Sequence, residues 1–142
     1  MPLSVLISGA GIAGSTFAFF LAKTGARITA VKKAKSLLPH GQNVDIQGSA
    51  LLAIAKMGLM DQVNAANTSE KGSQFIDSKG NPFALFPMRE DSAVSLTSQF
   101  EILRGDLAKI LYEAAEVQAN VNYLFDTTIV SLFSVLSEMR SH

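Results

Sequence analysis

The chain has no cysteine and no tryptophan, and of its two histidines one, His142, is the terminal residue and the other is His40. Without cysteine there is no disulfide framework and no thiolate to act as nucleophile or metal ligand. Two histidines are too few for a histidine-based metal cluster, so no metal site is expected. Net charge is also missing, because 12 basic residues balance 12 acidic ones. That removes the electrostatic case for nucleic acid or an anionic membrane surface as partner. Long uninterrupted apolar runs are absent too. Met1 to Leu21 is apolar, but no basic residue precedes it, and glycines, serines and threonines break it. A signal peptide has a positive start and an unbroken apolar centre, and a membrane span needs about 20 apolar residues. What remains is 142 residues, 48% apolar and 17% charged, enough for one folded domain with a real core. A cytoplasmic protein without repeats or low-complexity segments is expected.

The most informative segment is Gly9-Ala10-Gly11-Ile12-Ala13-Gly14. It follows a strand-like run, Leu3 to Ser8, and precedes a helix-like stretch. Gly9 permits a tight turn out of the strand, Gly11 lets a pyrophosphate approach the backbone, and Gly14 lets the helix lie close to the sheet. The free N–H groups and dipole of the helix start then favour an anion. Ala18 is small where the helix must meet the sheet, Gly25 stops the helix, and Arg27 to Val31 reads as a second strand. Together these predict a Rossmann-like βαβ unit in an α/β fold.

Further along, Pro39 to Asn43 reads as a loop. Ser49 to Met57 has helical periodicity with Ser49 as N-cap, Gly58 interrupts it, and Leu59 to Ala66 reads as a second short helix. Ser73 to Ser78 and Pro82 to Pro87 flank Lys79-Gly80-Asn81 and predict a small β-hairpin layer. Val94 to Phe100 suggests a short strand. Glu101 to Glu116 reads as a helix with Leu107, Ile110, Leu111 and Ala114 on one face. Val121 to Phe125 would be a third parallel strand, and Thr128 to Phe133 would start a neighbouring β-layer. Phe17, Phe19 and Phe20 are expected in the core.

The combination of GAGIAG, ITAVKKAKSLLPHGQNVDIQG, MGLMD and SLTSQFEILRGDLAKIL resembles the N-terminal part of single-component FAD-dependent aromatic hydroxylases. These are monooxygenases of the para-hydroxybenzoate hydroxylase fold, especially the fungal and bacterial members of secondary metabolism. The resemblance implies FAD as cofactor, with NADPH as reductant. It implies that Gly9, Ala10, Gly11, Ile12, Ala13 and Gly14 cradle the FAD pyrophosphate. It implies that Arg104 contacts FAD and that Gly41 to Gln47 passes near the flavin ring. Residues 1–132 would form the FAD-binding domain, and residues 133–142 a tail outside the resemblance.

Three features depart from that family. Lys32 stands where its members carry a glutamate that accepts from the adenosine ribose, and Lys33 follows it. An ammonium has no acceptor. Lys32 therefore either suits a 2′-phosphate, as basic residues do in NADP-binding versions of the fold, or is an exposed strand-end lysine in a weakened FAD site. Gln47 replaces a frequent arginine. Finally, the family runs to several hundred residues, and its later half supplies Gly-Asp and Asp-Gly motifs and most of the substrate pocket. The single Gly-Asp here is Gly105-Asp106, and there is no Asp-Gly. The resemblance thus implies a truncated version of the fold.

Two functions follow as expectations. One is a FAD-binding monooxygenase-family protein of small-molecule metabolism, with an aromatic or polyketide- or terpenoid-like substrate. The other is a repurposed non-redox protein, acting as a cofactor-free isomerase, cyclase or hydrolase or as an accessory subunit. For the latter, Asp45 and His40 are the candidate acid/base groups. Asp45 is flanked by Val44 and Ile46, so strand alternation turns it away from them. A sheet with few strands leaves an open edge, so a homodimer or association with another pathway protein is expected.

Overall fold

A computed structural model describes residues 1–68, 72–87 and 100–133. Along the chain come β1 (Ser4–Ser8), α1 (Ile12–Ala22), β2 (Arg27–Val31), β3 (Asn43–Asp45), α2 (Ser49–Met57) and α3 (Met60–Ala65). They are followed by β4 (Gly72–Ile76), β5 (Pro82–Pro87), β6 (Glu101–Leu103), α4 (Arg104–Glu116) and β7 (Val121–Leu124). Strands β1, β2 and β7 form a parallel sheet in that order, with Val5 opposite Ile28 and Ile28 opposite Val121. This is the βαβ unit the sequence predicts, and β7 is its expected third strand.

Small side chains hold α1 against the sheet. Ala18 and Ala22 are buried with Ile7, Ile28 and Ala30, and Ala115 of α4 joins the same cluster. Alanine brings two backbones close, so the N-terminus of α1 is fixed relative to the end of β1. At the other end of α1, the Asn120 side-chain amide donates to the carbonyls of Ala22 at 2.8 Å and Ala26 at 2.7 Å. The Asn120 backbone carbonyl accepts from Ile28 N–H at 2.8 Å. One side chain therefore ties the α1–β2 connection to the start of β7. Leaving such acceptors bare costs about 1–3 kcal/mol.

A second cluster of Ile46, Ile54, Met57, Leu59, Val63, Ile102, Leu107 and Leu111 joins β3, α2, α3, β6 and α4. Most ends shift by a residue or two from the expected ones, and three differences have a clear physical reason. Ser49 is the first helical residue of α2 and Gly48 is its N-cap, with φ 55°. Glycine adopts that dihedral far more readily than serine. The helix expected from Glu101 starts at Arg104, because Glu101–Leu103 pairs antiparallel with β3 and buries Ile102 completely. Sheet pairing there overrides helical periodicity. Residues 128–133 form no strand; Val130 and Leu132 are exposed, with no ladder partner among the described residues.

The hairpin forms as expected, with β4 antiparallel to β5. The Asp77 carboxylate accepts from the backbone N–H groups of Asn81 and Lys79, both at 2.8 Å, which closes the turn. Those bonds, the one from Asn81 first, hold the Asp77 carboxyl below its ordinary range. Phe75 stands within ring-contact distance of Phe83 and Phe86. Phe19 and Phe20 are half-buried against the core, whereas Phe17 is 54% exposed. Most of the expected Val94 to Phe100 strand lies outside the described residues. Among the described residues no helix is long and apolar enough to cross a membrane.

The chain's two tyrosines meet edge to face, with ring centroids 4.6 Å apart. Tyr112 donates to Glu116 Oε1 at 2.6 Å, and Tyr123 donates to Ser15 Oγ at 3.2 Å. Burial, then the Glu116 carboxylate, pushes the Tyr112 phenol up to about 12. Burial raises Tyr123 as well, with the Ser15 hydroxyl opposing. A raised phenol pKa contributes stability that is fully present below the unfolded value of 10.0 and is lost as pH rises toward 12. Alkaline titration of tyrosinate absorbance in the flavin-free protein should show both groups ionising above the ordinary phenol range, with stability to urea falling over the same interval. A single transition at the unfolded phenol value would show that neither ring is held as described.

Candidate functional site

The site begins where β1 runs into α1. Gly9 N–H donates to the Val31 carbonyl at 2.9 Å, which ties the turn to the end of β2. Gly9 has φ +115°, a conformation L side chains rarely adopt. Ala10 is fully buried beneath the turn. Gly11 is the N-cap of α1, and a Cβ built on it would meet nothing within 4 Å. The helix ladder opens with Ser15 N–H donating to the Gly11 carbonyl at 2.9 Å. The N–H groups of Ile12, Ala13 and Gly14 precede that first bond and have no intrahelical acceptor. A Cβ on Gly14 would overlap the Gly9 carbonyl oxygen. The three glycines thus have separate reasons: a dihedral, an open approach and a close contact. Exposed backbone donors at the positive end of α1, with no side chain over Gly11, fit a pyrophosphate.

Lys32 lies beside this turn. Its N–H donates to the Leu124 carbonyl at 2.9 Å, and its carbonyl accepts from Thr127 N–H at 3.1 Å. Its backbone is therefore clamped at the carboxyl ends of β2 and β7, where open α/β sheets take their ligands. The residue is half-buried, and among the described residues no carboxylate ion-pairs with it; Lys33 is exposed.

Arg104 opens α4, and its N–H donates to the Gln42 carbonyl at 3.2 Å. Two glycines press the 38–42 segment against this helix start. A Cβ on Gly41 would stand 2.9 Å from Arg104 Cβ, and one on Gly105 would collide with the main chain of Pro39. The Arg104 side chain is exposed. Arg104 and the Gly41 to Gln47 segment, both singled out in the sequence, are thus neighbours. Ile12 packs against the cluster that contains Ile46 and Leu107, so the glycine turn, β3 and α4 share one core.

Asp45 and His40 are not drawn into a site. Both are exposed, and Asp45 stands opposite Glu101 in the β3–β6 ladder. Asp106 is an exposed residue in the first turn of α4. Sequence reasoning passed over the two glycines that place Arg104. Gly105 at the second position of a helix was a usable signal, since glycine there costs about 1 kcal/mol relative to alanine and calls for a packing reason. A cavity of about 510 Å³ lies between residues 35–39 and the outer side of α4, with Tyr112 and Phe125 in its wall. No residue of the glycine turn lines it.

A parallel βαβ sheet with an open glycine turn at the start of its first helix defines a dinucleotide-binding domain of the Rossmann type. The chain belongs to the FAD binding domain family, whose model matches residues 2–137. It is 38% identical over 129 residues to the flavin-dependent monooxygenase eupH of Phoma sp, covering 89% of this chain and 30% of that one. It is 37% identical over 135 residues to the FAD-dependent monooxygenase asL4 of Sarocladium schorii, covering 92% of this chain and 31% of that one. Among solved structures, the tetracycline destructase Tet(55) aligns with a TM-score of 0.75 at 30% identity, over 94% of this chain and 32% of that one. The fold also matches CtdE in complex with FAD, with a TM-score of 0.79 at 18% identity, over 95% of this chain and 33% of that one. The chain spans about a third or less of the length of the relatives it matches. Its kin are flavin monooxygenases, and the family it belongs to is one of FAD binding domains.

The geometry separates two neighbouring glycines. Gly14→Ala should lower stability by about 1–3 kcal/mol, the usual cost of forcing a methyl into a filled contact. Gly11→Ala, which meets open space, should change it by less than about 1 kcal/mol. Urea unfolding of the two variants checks this, and equal losses would contradict the contact between Gly14 and the Gly9 carbonyl.

Proposed function

We propose that this chain is the part of a flavin-dependent monooxygenase that holds FAD across the glycine turn, in an enzyme acting on a small aromatic or polyketide- or terpenoid-like molecule. The observation that carries the reading is the open backbone at Gly11, with the unpaired N–H groups of Ile12 and Ala13 beside it and Gly14 locked against Gly9. In this reading Gly9 and Ala10 shape the turn, and the backbone from Gly11 to Gly14 donates to the pyrophosphate. Arg104 supplies a cation at the start of α4. A cation at a helix N-terminus is unfavourable unless an anion offsets it, and a FAD phosphate would do so. The Gly41 to Gln47 segment, held against Arg104, borders the flavin end. When bound, the flavin supplies the redox chemistry through which oxygen reaches the substrate, with NADPH as the proposed reductant.

No side chain among the described residues is assigned an acid/base role. Oxygen transfer needs an enclosed, water-poor site, and Asp45 and His40 are exposed. The reading extends to association, with a second copy or another pathway protein. Strand β1 has no partner on its outer edge among the described residues, and Leu3 and Leu6 are exposed there at 66% and 52%. Unpaired edges with apolar side chains favour pairing.

Visible absorption after addition of FAD and gel filtration tests the reading. The protein should retain flavin absorbance and sediment as a dimer or a complex. Gly11→Val should abolish retention by covering the turn. Arg104→Ala should weaken binding about tenfold or more, the worth of a hydrogen bond to a charged group. A colourless wild-type protein would refute the FAD reading, and a monomer mass would refute the association.

A further inference from the structure

We propose that the cavity of about 510 Å³ between residues 35–39 and the outer side of α4 is a second ligand site, suited to an uncharged fused-ring aromatic molecule. Neither the glycine turn nor Arg104 lines it, so the inference does not depend on how the chain holds FAD.

Shape is the first support. The 35–41 segment leaves β2 from a fixed point, because Asp126 N–H donates to the Ala34 carbonyl and Thr127 N–H to the Lys32 carbonyl, both at 3.1 Å. It reaches α4 at a second fixed point, where Arg104 N–H donates to the Gln42 carbonyl at 3.2 Å. Between these anchors Gly105 lies so close to Pro39 that a Cβ on it would stand 2.5 Å from the Pro39 carbonyl oxygen. Both residues line the cavity, so that contact draws its two walls together. Walls anchored in this way need little ordering when a ligand enters, and little affinity is lost to rearrangement. The volume falls within the range of small-molecule sites, about 300–1,000 Å³.

Chemistry is the second. Tyr112 and Phe125 form an aromatic corner in the wall, with ring centroids 5.8 Å apart and planes at 67°. Tyr123 braces both rings, at 4.6 Å from Tyr112 and 6.4 Å from Phe125. The Tyr112 phenol is engaged by Glu116 at 2.6 Å, which leaves the ring carbons as contact surface. The 35–39 segment supplies Leu37, Leu38 and Pro39, and Leu38 is 62% exposed. An aromatic corner facing aliphatic groups suits a flat ring, which meets it by edge and face contacts. Charge then selects among flat ligands. Among the described lining residues Lys35 and Lys109 offset Asp106 and Glu113, and Lys109 already stands 3.8 Å from Glu113. A charged ligand would meet a like charge for each opposite one. An uncharged ring bearing hydroxyl or carbonyl groups can bond to Ser36 or to these side chains without that repulsion.

The test is binding of 2-naphthol to the whole chain. The chain has no tryptophan and two tyrosines, so its ultraviolet emission reports on Tyr112 and Tyr123, the rings of this wall and its brace. Energy transfer to a bound naphthalene should shorten the tyrosine emission lifetime. Calorimetry should give one saturable site with a Kd below about 100 µM. The charged analogues 2-naphthoate and 2-naphthylmethylammonium should each bind at least about fivefold more weakly. Leu38→Gln changes an exposed side chain and should weaken 2-naphthol at least about threefold. Gly11→Val should leave 2-naphthol binding unchanged. A charged analogue that binds as tightly as 2-naphthol, uptake without saturation, or binding that survives Leu38→Gln would overturn the inference. Displacement of 2-naphthol by FAD, or its loss on Gly11→Val, would place the probe at the turn and overturn it as well. A chain that retains no FAD yet binds 2-naphthol as described would remove the FAD reading and leave this inference standing.

Discussion

One contact constrains the rest of the molecule: the first turn of α1 lies on the end of β1, with Gly14 against the carbonyl of Gly9. There is no room between them for a methyl group. That closeness requires small residues further along the helix, and Ala18 and Ala22 meet the sheet where larger side chains would lever it away. It also sets the amides of the helix start, which lack intrahelical acceptors, on a rigid base. An anion site made of backbone donors is only as good as their fixed direction, because donors free to reorient lose part of what they gain on binding. The same packing carries Ile12 into the cluster shared by β3, α2, α3, β6 and α4. The position of Arg104 is thereby coupled to the position of the turn.

The site consequently divides into a part that follows a general pattern and a part particular to this chain. In the proposed reading the pyrophosphate end is built from glycine and backbone, and side-chain identity matters little there beyond smallness. In the proposed reading the residue nearest the ribose end is Lys32, whose backbone is clamped between β2 and the exit of β7. Membership of the FAD binding domain family and kinship with flavin monooxygenases speak to the first part. They leave the second to physical chemistry. The relatives are about three times as long as the aligned region.

Much of this was legible in the sequence because it is local. The glycine turn, the end of α2 at Met57, the bounds of Pro82–Pro87 and the burial of Leu107 and Leu111 in α4 are each set by neighbours a few residues apart. What was not legible depends on residues distant in sequence. Glu101–Leu103 continues the helical pattern of α4, yet it becomes a strand because Asn43–Asp45 offers a ladder about 58 residues earlier. The placement of Arg104 depends on Gly41 and Gly105 meeting the main chain and side chains across the 38–42 crossing. Asn120 reads as an ordinary loop residue until its amide is seen to close the α1–β2 connection. Residues 128–133 have strand composition but no ladder partner among the described residues, and composition alone does not make a strand.

Amide hydrogen exchange with and without FAD tests the central claim most directly, because it reads the backbone donors themselves. FAD should slow exchange at Ile12, Ala13 and Gly14, which lack intrahelical acceptors, more than anywhere else in α1. Protection confined to another surface, such as the cavity between residues 35–39 and α4, with the turn amides unchanged, would contradict it.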